Sequence, residues 1–142
     1  MKVLVSIDGS KHSAKAIDYL IKNVAMFEGK GSGLVVLHVQ PAVIPPEVTQ
    51  YIPKKSIADW YADQSKAAVK AATSKLDKAK VPYKLVQKVG HVSDTILAEA
   101  KATKADMIVM GSHGRSSLMG LIMGSVTSQV LAQSKQPVLI VK

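Results

Sequence analysis

Apolar residues along the chain fall into two alternating patterns: short unbroken runs of aliphatic residues, and longer stretches in which they return every three or four positions. Val3, Leu4, Val5 and Ile7 form the first run, which stops at Asp8-Gly9-Ser10, so a buried strand is predicted to give way to a turn. A helix should follow at once. Ser10 or Ser13 stands where a cap is needed, and Ala14, Ile17, Ile21 and Val24 mark one face. The glycines at 29, 31 and 33 end that helix and release a second strand over residues 34–39.

Pro41, Pro45, Pro46 and Pro53 make residues 40–55 a poor candidate for regular structure, and connections of that length often carry function. The helical period returns from Ile57 through Trp60, Tyr61, Gln64, Ala68, Ala71 and Leu76, with Lys66, Lys70 and Asp77 on the other face. Trp60 and Tyr61 read as core or loop-packing residues rather than ligand contacts. Residues 83–89 alternate as a half-exposed strand near a sheet edge, closed by Gly90. Val92, Ile96, Leu97 and Ala100 mark a third helix, and residues 106–110 are a continuous apolar run of the kind buried on both faces of a parallel sheet. A last helix is predicted from about Ser125 to Ser134, and residues 137–141 supply a fifth strand. Strands alternating with helices predict an α/β fold: a doubly wound parallel sheet with helices on both faces. Ligands in such sheets sit outside the carboxyl ends of the strands, where the winding reverses. The loops after the first, second and fourth strands are therefore the places to look.

The 142 residues suit one domain with one core. The chain has no cysteine, and its four histidines, His12, His38, His91 and His113, form no metal-ligand pattern, so neither a disulfide framework nor a zinc site is expected. His12, His38 and His91 read as structural or exposed. The N-terminal residues lack the apolar core of a secretory signal, and no run approaches the roughly 18 apolar residues of a membrane span. A soluble, cytoplasmic protein with no membrane partner is expected. A formal charge of +9 suits a phosphate ligand. Its lysines are spread out and aromatics are few, which argues against specific nucleic-acid binding.

The richest chemistry lies after the fourth strand. Gly111 and Gly114, three apart, let the backbone turn tightly and approach a ligand. Ten residues on, Gly124-Ser125 opens a helix, whose unpaired N–H groups and positive dipole end suit an anion, and the hydroxyls of Ser125 and Thr127 can add hydrogen bonds. Taken singly, each of these residues could serve only a turn or an ordinary helix cap. Four glycines, small hydroxyl residues and Arg115 at one strand-to-helix junction favour a phosphate cradle. Arg115 could pair with a phosphate or point to water. The P-loop pattern occurs nowhere, and no G-x-G-x-x-G follows the first strand.

Gly111-x-x-Gly114, nine residues, then Gly124-Ser125 resembles the ATP-binding signature of the universal stress protein family. Asp8-Gly9-Ser10 after the first strand, Leu37-His38-Val39 ending the second and the closing Pro-Val-Leu-Ile-Val strand extend the resemblance over nearly the whole chain, 1–142. It implies a five-stranded sheet of order 3-2-1-4-5, adenine nucleotide alpha hydrolase-like, with ATP (or AMP or ADP) across the switch point and Mg2+ or Mn2+ held by the phosphates. Ser6, Ile7 and Asp8 would border the adenosine, and the backbone of Val39 would read the adenine edge. Met110, Gly111, His113 and Gly114 would line the ribose and phosphates, and Gly124, Ser125, Val126 and Thr127 would hold the phosphate tail. Asp8 is read as a ligand contact over a mere brace for its own turn, and His113 could act through backbone or ring.

The resemblance also implies a homodimer through residues 137–141, which would cover an apolar edge strand. The leading expectation is a nucleotide-dependent regulatory or stress-response module, with no catalytic residue assigned. The alternative is a slow ATP hydrolase, which needs a positioned water and a base. Asp8 is the one nearby carboxylate that can be placed.

Overall fold

The computed structural model describes residues 1–114 and 123–142. Strands β1 (Lys2–Ile7), β2 (Gly33–Pro41), β3 (Lys84–Gly90), β4 (Met107–Gly111) and β5 (Val138–Val141) form one parallel sheet in the order β3-β2-β1-β4-β5. The predicted strand order is therefore observed. Helices α1 (Lys11–Lys22), α2 (Pro46–Thr49), α3 (Lys54–Lys78), α4 (Val92–Ala102) and α5 (Ser125–Gln133) connect the strands.

The period-two alternation of strand side chains divides the core between two faces. Val3, Val5 and Ile7 of β1 join Val36 of β2 beneath Ile17 and Leu20 of α1 and Leu76 of α3. On the other face Leu4, Leu37 and Ile108 pack with Ile96 of α4 and Val130 of α5. Most of these side chains are fully shielded from solvent. Each face thus has its own pair of helices, and β1 and β4 lie at the centre, where the winding direction changes.

Three sequence expectations need correction. Residues 40–55 are not irregular throughout: β2 runs to Pro41, α2 occupies Pro46–Thr49, and α3 starts at Lys54, three residues before Ile57. The prolines that argued against helix instead begin it, because Pro46 sits in the first turn of α2 and Pro53 is the N-cap of α3, where no intrahelical N–H is required. The buried stripe of α3 is Tyr61, Ser65, Ala68, Ala72 and Leu76, so the predicted Gln64 and Ala71 face outward. Trp60 is 40% exposed and meets Tyr61 edge-on, whereas Tyr61 is buried and its hydroxyl oxygen accepts the N–H groups of Val43 and Ile44. Tyr61 thereby pins the loop after β2 to α3. Among the described residues no helix is long and apolar enough to cross a membrane.

Candidate functional site

The loop after β1 is built from its own side chains. Gly9 takes φ +81, a left-handed conformation open to glycine, and a Cβ there would come within 3.2 Å of Ala68 in α3. Asp8 accepts the N–H of Ser10 on Oδ1 at 2.9 Å, an Asx turn, and Ser10 then caps α1 by accepting the N–H of Ser13 at 3.1 Å. Asp8 therefore braces its turn. Its other oxygen, Oδ2, faces Gly114, where a Cβ would lie only 2.8 Å from it.

The loop after β4 is stitched to the start of α5. Gly124 donates its N–H to the Ser112 carbonyl at 2.8 Å, and the Thr127 hydroxyl donates to the Gly111 carbonyl at 3.0 Å. The Thr127 proton is thus engaged within the protein, leaving that hydroxyl its lone pairs, and Ser125, which is exposed, is the side chain that can donate outward. Gly124, not Ser125, is the N-cap of α5. It has no side chain to cap with, and the first intrahelical bond runs from Ser128 to the Gly124 carbonyl. The N–H groups of Ser125, Val126 and Thr127 consequently remain as the open donors of the helix start. The contrast with α1 is direct: Ser10 satisfies its own helix end, and α5 offers its donors to whatever lies in front of it.

In front of it is a cavity of about 410 Å³ at the carboxyl ends of β1, β2 and β4. That volume falls within the roughly 300–1,000 Å³ of small-molecule sites. Every site residue expected from the sequence lines it: Ser6, Ile7 and Asp8 from the first strand and its turn, Val39 from β2, Met110, Gly111, His113 and Gly114 from β4 and its loop, and Gly124, Ser125, Val126 and Thr127 at α5. Arg115 lies outside the described residues. Among the described lining residues there is no lysine or arginine, so an anion here would meet backbone N–H groups and a helix dipole.

The structure adds lining residues that sequence reasoning did not select: Ser13, His38, Gln40, Pro41 and Val92. His38 is 3% exposed, with Nδ1 2.9 Å from the Ile7 carbonyl and Nε2 3.3 Å from Gln40 Oε1. Its Nδ1–H ties β2 to the end of β1, so it is structural as expected and also forms cavity wall. Periodicity could not reveal this, because a buried histidine at a strand end looks the same with or without a cavity beside it.

Gly111 plays an unexpected part. A Cβ there would lie 2.5 Å from the backbone carbon of His12 and 2.7 Å from its carbonyl oxygen. The missing side chain makes room for the first turn of α1. The two glycines of the spaced pair therefore do different things: Gly111 seats a helix, and Gly114 clears the space beside Asp8.

A sequence model of the universal stress protein family matches residues 1–142. The chain is 32% identical over 148 aligned positions to the universal stress protein YxiE of Bacillus subtilis, covering 99% of this chain and 98% of that one. In three dimensions it resembles the Methanocaldococcus jannaschii protein MJ0577, with TM-score 0.78, 26% identity and coverage of 99% and 94%. It also resembles a universal stress protein solved in complex with cAMP, with TM-score 0.71, 25% identity and coverage of 100% and 97%. The shared architecture is the adenine nucleotide alpha hydrolase-like fold.

Proposed function

This chain belongs to the universal stress protein family, and from that premise we propose that it is an adenine-nucleotide-binding regulatory module, with ATP as its preferred ligand. One observation carries the reading: the glycine-capped start of α5 presents the open N–H groups of Ser125, Val126 and Thr127 to a cavity that Ile7, Asp8 and Val39 also line. Apolar walls with a few convergent polar groups suit a heterocycle at one end and phosphates at the other. The cAMP complex of a relative supports an adenine nucleotide in the same fold.

In this reading Val39 meets the adenine edge through its backbone, and Asp8 Oδ2, held by the turn that Oδ1 braces, accepts from a ribose hydroxyl. The α5 donors and the Ser125 hydroxyl hold the phosphate tail, and a bound Mg2+ or Mn2+ would offset charge on the phosphate oxygens themselves. No lining carboxylate other than Asp8 is found among the described residues, so binding is favoured over hydrolysis. We further propose that the 142 residues act as one cytoplasmic domain and pair through β5. All four residues of that edge strand are partly exposed, and a second copy would satisfy its outer backbone groups.

Equilibrium dialysis of nucleotide-stripped protein tests the main reading. Saturable ATP or AMP binding supports it, and absence of binding at millimolar ligand ends it. Light scattering at micromolar protein tests the dimer, which a monomer mass would exclude.

A further inference from the structure

Gln40 follows Val39 in β2 and lines the cavity, and one end of its carboxamide is lodged between two buried side chains. That end, placed as Oε1, lies 3.3 Å from Nε2 of His38 and 3.4 Å from Oγ of Ser65 in α3. His38 and Ser65 are 3% and 5% exposed, so water does not replace either contact. The other end of the carboxamide has no hydrogen-bond partner among the described residues. None of their side-chain nitrogens and oxygens is both buried and unpartnered, so this free end reaches accessible space.

The partners decide which end of the amide is which. A carboxamide's oxygen and nitrogen are alike in size and are told apart by what they meet. The Ile7 carbonyl, 2.9 Å from Nδ1 of His38, can only accept, so the ring carries a proton on Nδ1. In a neutral imidazole Nε2 then has no proton and accepts. Ser65 gives its own proton to the Tyr61 carbonyl at 2.9 Å, so its Oγ accepts as well. An amide oxygen between these two acceptors would be repelled by both, whereas the amide nitrogen has a proton for each. We propose that Gln40 turns its amide nitrogen to His38 and Ser65 and its carbonyl oxygen to the cavity, where that oxygen selects a ring bearing an exocyclic amine. Adenine offers such an amine. A 6-oxo purine such as hypoxanthine would set a second acceptor against the Gln40 oxygen and is disfavoured. That the ring is a purine lying at the Val39 end rests on the nucleotide reading above. Gln40 is thus a specificity-determining residue, and His38 and Ser65 are positioning residues that act through it.

The test pairs 15N spectroscopy of the histidine side chains at pH 8, where an ordinary imidazole is neutral, with the Kd values of ATP and ITP for the nucleotide-stripped full chain. Expected for His38 is a protonated Nδ1 and a bare Nε2, and ATP should bind more tightly than ITP. Gln40→Leu should narrow the gap between ATP and ITP roughly three- to tenfold, as for one hydrogen bond lost, with its backbone amide spectrum showing the fold intact. Gln40→Glu, whose carboxylate only accepts, should keep the preference for ATP and bring a proton onto Nε2 of His38. A wild-type His38 protonated on both nitrogens at pH 8 would turn the amide round and overturn the proposal, as would a folded Gln40→Leu variant with the gap unchanged. If neither nucleotide binds and His38 has the expected single proton, the nucleotide reading falls and the amide orientation stands. If ATP binds and the gap ignores Gln40, the reverse holds.

Discussion

Replacing Gly111 by alanine would drive a methyl group into the backbone of α1. The added Cβ would sit 2.5 Å from the His12 carbonyl carbon, and its nearest neighbours are main chain and Cβ, none of which can rotate away. Relief requires α1 to shift by roughly an ångström, yet that helix is held by buried Ser13, Ala16, Ile17 and Leu20. Overpacking of this kind costs about 1–3 kcal/mol, and rigid neighbours put Gly111→Ala at about 2–3 kcal/mol. Gly114→Ala is the internal control. Among the described residues its Cβ meets Asp8 Oδ2, at 2.8 Å, a side-chain atom rather than main chain, so relief costs the Asp8–Ser10 hydrogen bond, roughly 1 kcal/mol, and the loss should be the smaller of the two. Urea unfolding of the two variants reads the difference as a lower midpoint at unchanged slope for Gly111→Ala. Equal losses in the two variants, or a Gly111→Ala loss within about 0.5 kcal/mol of wild type, would refute the division of labour between these glycines.

Other outcomes follow from the same geometry. Thr127→Val keeps the shape but removes the proton given to the buried Gly111 carbonyl, and thermal or urea unfolding should show a loss of about 1–2 kcal/mol. Lys80 holds φ +57 just beyond α3, where the Val81 N–H closes a six-residue loop to the Leu76 carbonyl, so Lys80→Gly should leave stability unchanged or raise it by up to roughly 1 kcal/mol; a clear loss would contradict the strain. Tyr83 ionises above the ordinary tyrosine range because burial, then its 3.0 Å hydrogen bond to Asp77 and that carboxylate's charge, disfavour the phenolate. Its contribution to stability is present below about pH 10 and lost as pH rises through the folded value, and Asp77→Asn should move the ultraviolet titration of Tyr83 downward.

Much of the fold was legible because it rests on local patterns. Short apolar runs such as 3–7 and 106–110, between turn signals, suit strands buried on both faces, and the glycines after β1 and β4 mark where the cavity lies. The misses have physical causes. Pro46 and Pro53 look like breakers in the sequence because composition does not distinguish a proline at a helix start from one in its interior. The stripe of α3 slipped because Ser65 is buried and Trp60 exposed, against the preference of each residue type. Lys80 and Lys104 end helices in the left-handed conformation that sequence reading assigns to glycine. The residues that line the cavity were selected through spacing and resemblance, whereas the contact of His12 with Ser112, 100 positions away, leaves no signal in the sequence. No helical or strand period links such a pair; only the packing of α1 on β4 does.

The most direct test of the central claim is a titration of 15N-labelled, nucleotide-stripped protein with ATP, followed by backbone amide spectra. Saturable shifts concentrated on Ser125, Val126 and Thr127, with further shifts at Val39 and Asp8, are the predicted result. Amides at the start of α5 that stay unmoved at millimolar ATP, or shifts confined to the lysine-bearing outer face of α3, would contradict it.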